Sequence, residues 1–540
     1  MAVLQNNQYI KKSNIRYSII LVSLLLLIIL LGKTAWLCDD AMITFRTVLQ
    51  FTHGNGLVFN LGDRVQGYTH PLWMLVLTFN YWINQEIFIS TMHLGIVLTA
   101  IAFSIVVFQA RHHIINLSLI CLGLVGSKAF IEYGTSGLEN PLSYVLFGIL
   151  FVLVSQQKKQ KLAPYVAIIT TCSLIFLCRM DYAVICAPIS IIASIQVKKI
   201  KYIIQGFFLG GLPAFAWLIF STVYYGTPFP NTYYAKLYTG IPKYQSIIQG
   251  FHYFQDLVNN DLLSFVFIFL TLITLIFQKN TKIHVGGFAI GLLLYLLYIL
   301  NIGGDFMSGR FFAVPVYLAA IVISQVNIQR KLVLFPIGVL VFILMILNIW
   351  SLVNIPQPGV QGNGIANERG FYYEKFGLYS PFQEFPDISS RWSAEQQQGA
   401  PSLQLVNIIC GGLGNESLRA GPNVHFVDTC GLVDALLVRL PSQVVGENLQ
   451  APKTVFSFMK LVYNALFESL PVSWVNEFGW RIGHVERAIP KGYIESIQQG
   501  ENRIEDEAIA HLYDQIKQVI SGPIWSLERF KLVWKVMINP

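Results

Sequence analysis

Eleven apolar runs of near-spanning length, separated by connections whose charge alternates, constrain this chain more than anything else in it. The runs lie near residues 17–36, 88–109, 115–130, 141–155, 162–177, 182–197, 202–221, 261–277, 284–302, 311–326 and 332–353. A membrane-crossing helix takes roughly 20 apolar residues, so several runs are short. Repeated this often, however, the pattern leaves no soluble fold to hold it. Basic residues occupy every second connection: Lys11, Lys12 and Arg16; Arg111; Lys158, Lys159 and Lys161; Lys198, Lys199 and Lys201; Lys279 and Lys282; Arg330 and Lys331. None of these connections contains Asp or Glu. By the positive-inside rule they face the cytoplasm, which puts the N-terminus inside and everything after residue 353 outside; an odd number of spans agrees. The apolar run that follows the first basic cluster has no small-x-small cleavage pattern, and Leu37 before Cys38 spoils a lipoprotein site, so the first span is expected to be retained.

Composition supports this reading and disposes of a rival one. The chain is 54% hydrophobic and 12% charged, about half the charged share of ordinary globular proteins. Its net charge of +8 would suggest nucleic acid only if gathered on one soluble face. Residues 1–353 hold 22 Lys and Arg against 10 Asp and Glu, whereas the remaining 187 hold 15 against 19. The basic excess is thus a topology signal, and no nucleic-acid partner is expected. The chain divides into a membrane part, 1–353, and an outer soluble cap, 354–540, at a shift marked by Pro356, Pro358, Gly359, Gly362 and Gly364. The cap is long enough for its own core. Its apolar patterning predicts mixed α/β structure, with strands at 405–409 and 424–427 and an amphipathic helix near 505–520. Cys410 and Cys430 are the only cysteines of the cap; a bridge and two buried free thiols are both open.

All ten acids of the membrane part fall in or beside the alternate, outer connections. Asp39 and Asp40 follow the first span directly. Adjacent carboxylates at a membrane rim repel each other, and they suit a general base or a cation site facing a membrane-embedded substrate; a helix N-cap beside a solvated acid is the structural alternative. The loop then runs through Arg46 to Tyr68, His70 and Trp73, with glycines among aromatic and polar residues, as a tightly folded surface loop would. Further outer turns supply Glu132 and Glu139, Arg179 beside Asp181, Lys236 in an aromatic, proline-bearing connection, and Asp305 and Arg310 in GGDFMSGR (303–310). A guanidinium in a glycine-rich turn fits phosphate, because its planar donors match phosphate oxygens. Arg310, Arg179, Lys236 and Arg46 are therefore candidate phosphate ligands. Tyr68, His70, Trp73, Glu132, Glu139, Asp305 and, in the cap, His484 are candidate sugar or acceptor contacts. GGLG (411–414) lacks the dinucleotide fingerprint.

Acids, arginines and aromatic loops on an outer membrane face have no access to cytoplasmic nucleotide sugars, so an activated donor should arrive within the membrane. A polyprenyl-phosphate sugar meets that need: the phosphate leaves, steadied by Arg or Lys, and a carboxylate takes the acceptor proton. At this point a resemblance is legible. The string DDAMITFRTVLQFTHGNGLVFNLGDRVQGYTHPLW (39–73) resembles the terminal β-(1→2) arabinofuranosyltransferases of mycobacteria and the type IV pilin arabinofuranosyltransferases. The likeness recurs in EYGTSGLENPL (132–142), GGDFMSGRFF (303–312), VDTCGLVDALLVRLP (427–441) and WRIGHVERAIPKGY (480–493). The resemblance implies a polytopic α-helical membrane protein of the GT-C fold, with about eleven transmembrane helices and a C-terminal mixed α/β periplasmic domain, in a bacterial cytoplasmic membrane. It implies decaprenyl- or undecaprenyl-phosphoryl-arabinofuranose as donor and a glycan, pilin or lipid acceptor. The family's paired aspartates fall on Asp39 and Asp40. An acid expected at Gln66 is missing, and Ala435 replaces a common proline. The resemblance fixes no cofactor; a divalent cation, Mg or Mn, held by Asp39 or Asp40 is left open. Competing readings are a transferase of another lipid-linked sugar, mannose or aminoarabinose, to protein or lipid A, and a lipid-linked-sugar transporter, which would want polar residues at mid-membrane depth.

Overall fold

The computed structural model describes residues 2–157, 161–237, 239–276, 278, 282–326, 331–354, 363–392, 405–443 and 475–538. Lys158, Lys159, Lys279 and Arg330 of the basic connections, and Pro356, Pro358, Gly359 and Gly362, lie outside the described residues.

Among the described residues, six helices are long and apolar enough to cross a membrane: Asn14–Thr34, Phe88–Ala110, Met180–Val197, Ile200–Tyr225, Ile283–Ile302 and Pro336–Val353. The pair Lys243–Asn260 and Leu262–Ile276, bent by 111° where they meet, makes a seventh if counted as one span. The other expected crossings, Ile114–Gly126, Asn140–Ser155, Leu162–Cys178 and Arg310–Ile323, are apolar helices of 10–17 residues. The runs thus reappear as helices, but the expected eleven spans become six or seven by length. The last of the four opens with a 3-10 turn, Arg310–Phe312, whose first residue lines a cavity.

Helix Ala313–Ile323 is buried along its whole length and forms the centre of the bundle. Around it, Ile200–Tyr225 lies against Leu162–Cys178, Ile283–Ile302 against Ala183–Val197, and Phe88–Ala110 against Asn140–Ser155. Helices in lipid have no hydrophobic drive to associate and close up on small residues. At Gly210 a Cβ would lie 2.7 Å from Ile169, so only glycine admits this approach. Outward faces carry exposed Phe207, Phe208, Leu209, Leu212 and Ile219, an apolar surface that suits a lipid environment.

Beyond residue 363, a short parallel pair, β1 (Val406–Ile409) and β2 (His425–Asp428), is in register Val406↔His425 to Ile409↔Asp428. Helix Leu413–Ala420 connects them as a βαβ unit. Parallel strands need such a crossover. Helix Glu507–Ser521 begins where Asp506 accepts from the Ile509 amide at 2.9 Å. Its Tyr513, Ile516, Val519 and Ile520 join a core that also takes in Val65 from the first loop. Ile365, Tyr373, Phe376, Trp392 and Leu418 pack instead into the core of the helical body. The tail therefore shares its apolar interior with the rest of the chain. Cys410 and Cys430 form a disulfide across the ends of β1 and β2. Cys410→Ser should lower stability by about 2–4 kcal/mol, read as an earlier unfolding midpoint that reductant no longer shifts. An unchanged midpoint would deny the bridge its fastening role.

Candidate active site

Helix Asp39–Thr52 starts directly after the first span, with both acids in its first turn, where carboxylates meet the positive end of the helix dipole. One turn suffices to send them to different places. Asp39 turns toward the tail, and its two oxygens accept from the Gly414 and Asn415 amides, each at 2.9 Å, at the start of helix Leu413–Ala420. Burial pushes its carboxyl up to about 6 against the pull of those amides. Asp40 turns into a cavity of about 520 Å³ lined by residues of the first loop, the 229–246 connection, the 304–311 turn and the tail. Its carboxylate meets Arg310 Nη1 at 2.9 Å. Gly309, at φ +76°, supplies the left-handed turn that aims Arg310 inward.

Arg310 also touches Asp305 at 3.3 Å, while its buried Nε has no partner. A second chain of contacts runs from Thr44 Oγ1 to His70 Nε2 (2.8 Å), from His70 Nδ1 to Glu139 (3.0 Å) and from Glu139 to Arg179 (3.4 Å). Arg179 in turn donates twice to Asp181, at 3.0 and 2.7 Å. Burial alone would raise the Glu139 carboxyl, but His70, Arg310 and Arg179 outweigh it and hold the group well below the usual range. Lys236, on helix Asn231–Leu237, lines the same cavity and has no carboxylate partner among the described residues. His484 faces Phe306 edge-on, with ring centres 4.7 Å apart; burial and the charge of Arg481 hold its imidazole down at about 4.

The cavity thus gathers Asp40, Arg310, Arg179, Lys236, Tyr68, His70 and His484, with Asp39 at its wall. Glu139 and Asp305, both fully buried, stand behind it as supports for His70 and the arginines. Three further expected contacts are not at the cavity. Arg46 is fully buried, and its guanidinium donates to the carbonyls of Phe59, Ser417, Gly421, Pro422 and Val424, so it has no donor left for phosphate. Trp73 is buried with its indole N–H on the Gly137 carbonyl at 2.8 Å. Glu132 pairs with Arg369 at 2.9 Å and serves packing. Gln66, where an acid was expected, bonds Ser221 and the Tyr68 carbonyl rather than the cavity. As for a metal, Asp39 is occupied by amides and Asp40 by Arg310, and among the described residues no three His, Cys, Asp or Glu side chains converge to hold an ion.

Several cavity residues escaped the sequence reading. Glu368 and Tyr372, on helix Glu368–Phe376, line the wall formed by the tail. Burial and the charge of Asp40 push the Glu368 carboxyl up to about 8, against Arg481. The only signal was an acid and paired tyrosines in ERGFYYEKF, just past the composition shift.

Fold and site together define a polytopic helical protein of membrane character, whose carboxylate–arginine pair sits in a cavity closed by an α/β tail. The chain is similar to two proteins named terminal beta-(1->2)-arabinofuranosyltransferase. One, from Mycobacterium tuberculosis, is 24% identical over 64% of this chain and 64% of its own length. The other, from Corynebacterium glutamicum, is 26% identical over 54% of this chain and 48% of its own. The match therefore spans less than two thirds of either relative. Among solved structures, arabinosyltransferase EmbB from Mycobacterium smegmatis overlays 57% of this chain and 30% of its own, at 12% identity and TM-score 0.39. ArnT from Cupriavidus metallidurans, bound to undecaprenyl phosphate, overlays 77% and 86% at 10% identity and TM-score 0.47. No family model matches the chain.

Proposed function

We propose that the chain is a membrane glycosyltransferase of the GT-C type that moves arabinofuranose from a polyprenyl-phosphate donor to a cell-envelope acceptor. In this reading the 1–353 part is the catalytic membrane domain and the 354–540 part a periplasmic cap, in a bacterial cytoplasmic membrane with the N-terminus inside. The observation that carries it is the pairing of Asp40 with Arg310 at 2.9 Å in one cavity with Lys236, which has no carboxylate partner among the described residues. The similarity to named arabinofuranosyltransferases supports the choice of sugar.

The chemistry follows from the charges. The acceptor hydroxyl oxygen bonds to the anomeric carbon as the carbon–oxygen bond to phosphate breaks, and the electron pair leaves on the polyprenyl phosphate. The hydroxyl proton goes to Asp40. Arg310, Lys236 and the partly engaged Arg179 stabilise the charge that collects on phosphate, inside a cavity where such interactions are stronger than in water. Apolar residues of the lining, among them Phe176, Met180, Tyr298 and Ile302, give the lipid end of the donor a matching wall.

The test is a donor swap with the full-length protein in nanodiscs. Transfer from lipid-linked arabinofuranose is the expected result; its absence together with transfer from lipid-linked mannose or aminoarabinose would overturn the sugar assignment. Arg310→Ala should raise the KM for donor by roughly 10–100-fold, the loss of a charge-assisted contact, and leave the KM for acceptor within a few-fold. An equal rise in both would remove its phosphate role.

A further inference from the structure

Among the described residues, Glu368 is the one carboxyl that the tail places in the cavity wall, and nothing in the reaction as described employs it. It is 7% exposed, yet among the described residues its neighbour of opposite charge, Arg481, is 3.8 Å away, beyond hydrogen-bond reach. Its position is nevertheless fixed. The Asn367 side chain caps the helix it begins by accepting from the Gly370 amide at 3.2 Å. The preceding Ala366 is stitched to the 303–310 turn by Ala366 N–H to Phe306 O (2.7 Å) and Ser308 N–H to Ala366 O (2.9 Å). Arg481 Nε holds the Gly364 carbonyl at 2.9 Å. A rigidly mounted, nearly buried polar group that faces a cavity without a hydrogen bond is costly unless a ligand satisfies it.

We propose that Glu368 is an acceptor-positioning residue, hydrogen-bonding a hydroxyl of the acceptor sugar next to the one that loses its proton to Asp40; this rests on the glycosyl-transfer reading above. The charges favour acceptor over donor. Asp40 and Asp39 on the first-loop helix and Asp305 on the 303–310 turn surround Glu368 with negative charge, and Arg481 and Tyr372 face it from the tail. A phosphate has its cations elsewhere in the cavity, at Arg310, Lys236 and Arg179, and would add to the negative charge near Glu368. Crowding with carboxylates and burial keep Glu368 in its neutral form at neutral pH. A neutral carboxylic acid both donates and accepts one hydrogen bond, as a sugar hydroxyl does.

The test uses full-length protein in nanodiscs with Glu368→Gln and Glu368→Leu. The probe acceptor is a synthetic octyl arabinofuranosyl disaccharide, varied at saturating donor, and the donor is then varied in turn. Binding of the disaccharide without donor is followed by saturation-transfer NMR. Glu368→Leu should raise the acceptor KM about tenfold, as expected for one lost hydrogen bond in a closed site, weaken disaccharide binding to match, and leave the donor KM unchanged. Glu368→Gln, which also donates and accepts, should stay within about threefold of the parent protein. An acceptor KM and binding untouched by Glu368→Leu would overturn the role. So would a Glu368→Gln protein that binds acceptor normally but turns over as slowly as an Asp40 variant, because that would make Glu368 a base. Should the parent protein transfer nothing from lipid-linked arabinofuranose while Glu368→Leu still weakens disaccharide binding, the donor assignment falls and the positioning role stands.

Discussion

Asp40→Asn is expected to lower transfer about a thousandfold while the protein inserts and folds normally. A general base contributes roughly 10²–10⁴ in rate, and the amide cannot take the proton. Asp39→Asn should behave differently, although the two acids are neighbours in sequence and alike in charge. Asp39 accepts from the Gly414 and Asn415 amides; the amide oxygen of Asn can retain one of these bonds. Its variant should lose stability, on the order of 1–2 kcal/mol for a weakened cap, with the rate held within about tenfold. Initial rates in nanodiscs and thermal unfolding of each variant decide the matter. Equal loss of rate in both, at equal stability, would refute the division of labour.

Arg46→Met should be the most destabilising single change at the junction of body and tail. The guanidinium lies against the rings of Phe59 and Phe426, at 5.0 and 5.1 Å, and donates to five carbonyls, four of them between residues 417 and 424. Methionine fills much of the volume but leaves those buried acceptors without donors, each costing about 1–3 kcal/mol before water or backbone relaxes. A net loss on the order of 3–5 kcal/mol is expected. Limited proteolysis should then cut the 405–443 segment at much lower protease concentration. A variant as resistant as the parent would mean that the tail docks without this residue.

These two residues also mark how far the sequence could be read. Alternating charge in the connections pointed to a helical membrane protein, because lipid and water impose a pattern that needs no knowledge of contacts. Asp40 and Arg310 could be singled out because charged groups beside apolar runs are costly and so invite a chemical reason. Arg46 and Arg310 looked equivalent for a physical cause: the partners of Arg46 are backbone carbonyls, which any residue supplies and no motif reveals. Glu368 was invisible for the opposite reason. Its meaning comes from lying opposite Asp40, a neighbour more than three hundred positions away in the chain, and nothing local announces it. Four of the eleven apolar runs form helices of 10–17 residues, so length alone does not count them as spans.

The wiring of the cavity also has a consequence in time. The cavity wall begins at Asp39 and is completed by the 480–485 stretch, so at roughly 5–20 residues per second a ribosome takes on the order of a minute to deliver all of it. Asp40 and Arg310 are both present well before the tail that closes over them. A chain that stops short of the tail therefore carries the Asp40–Arg310 pair without that wall, with Asp39 still lacking its two amides. Enclosure of the pair therefore waits on the 480–485 stretch and is timed by the order of synthesis.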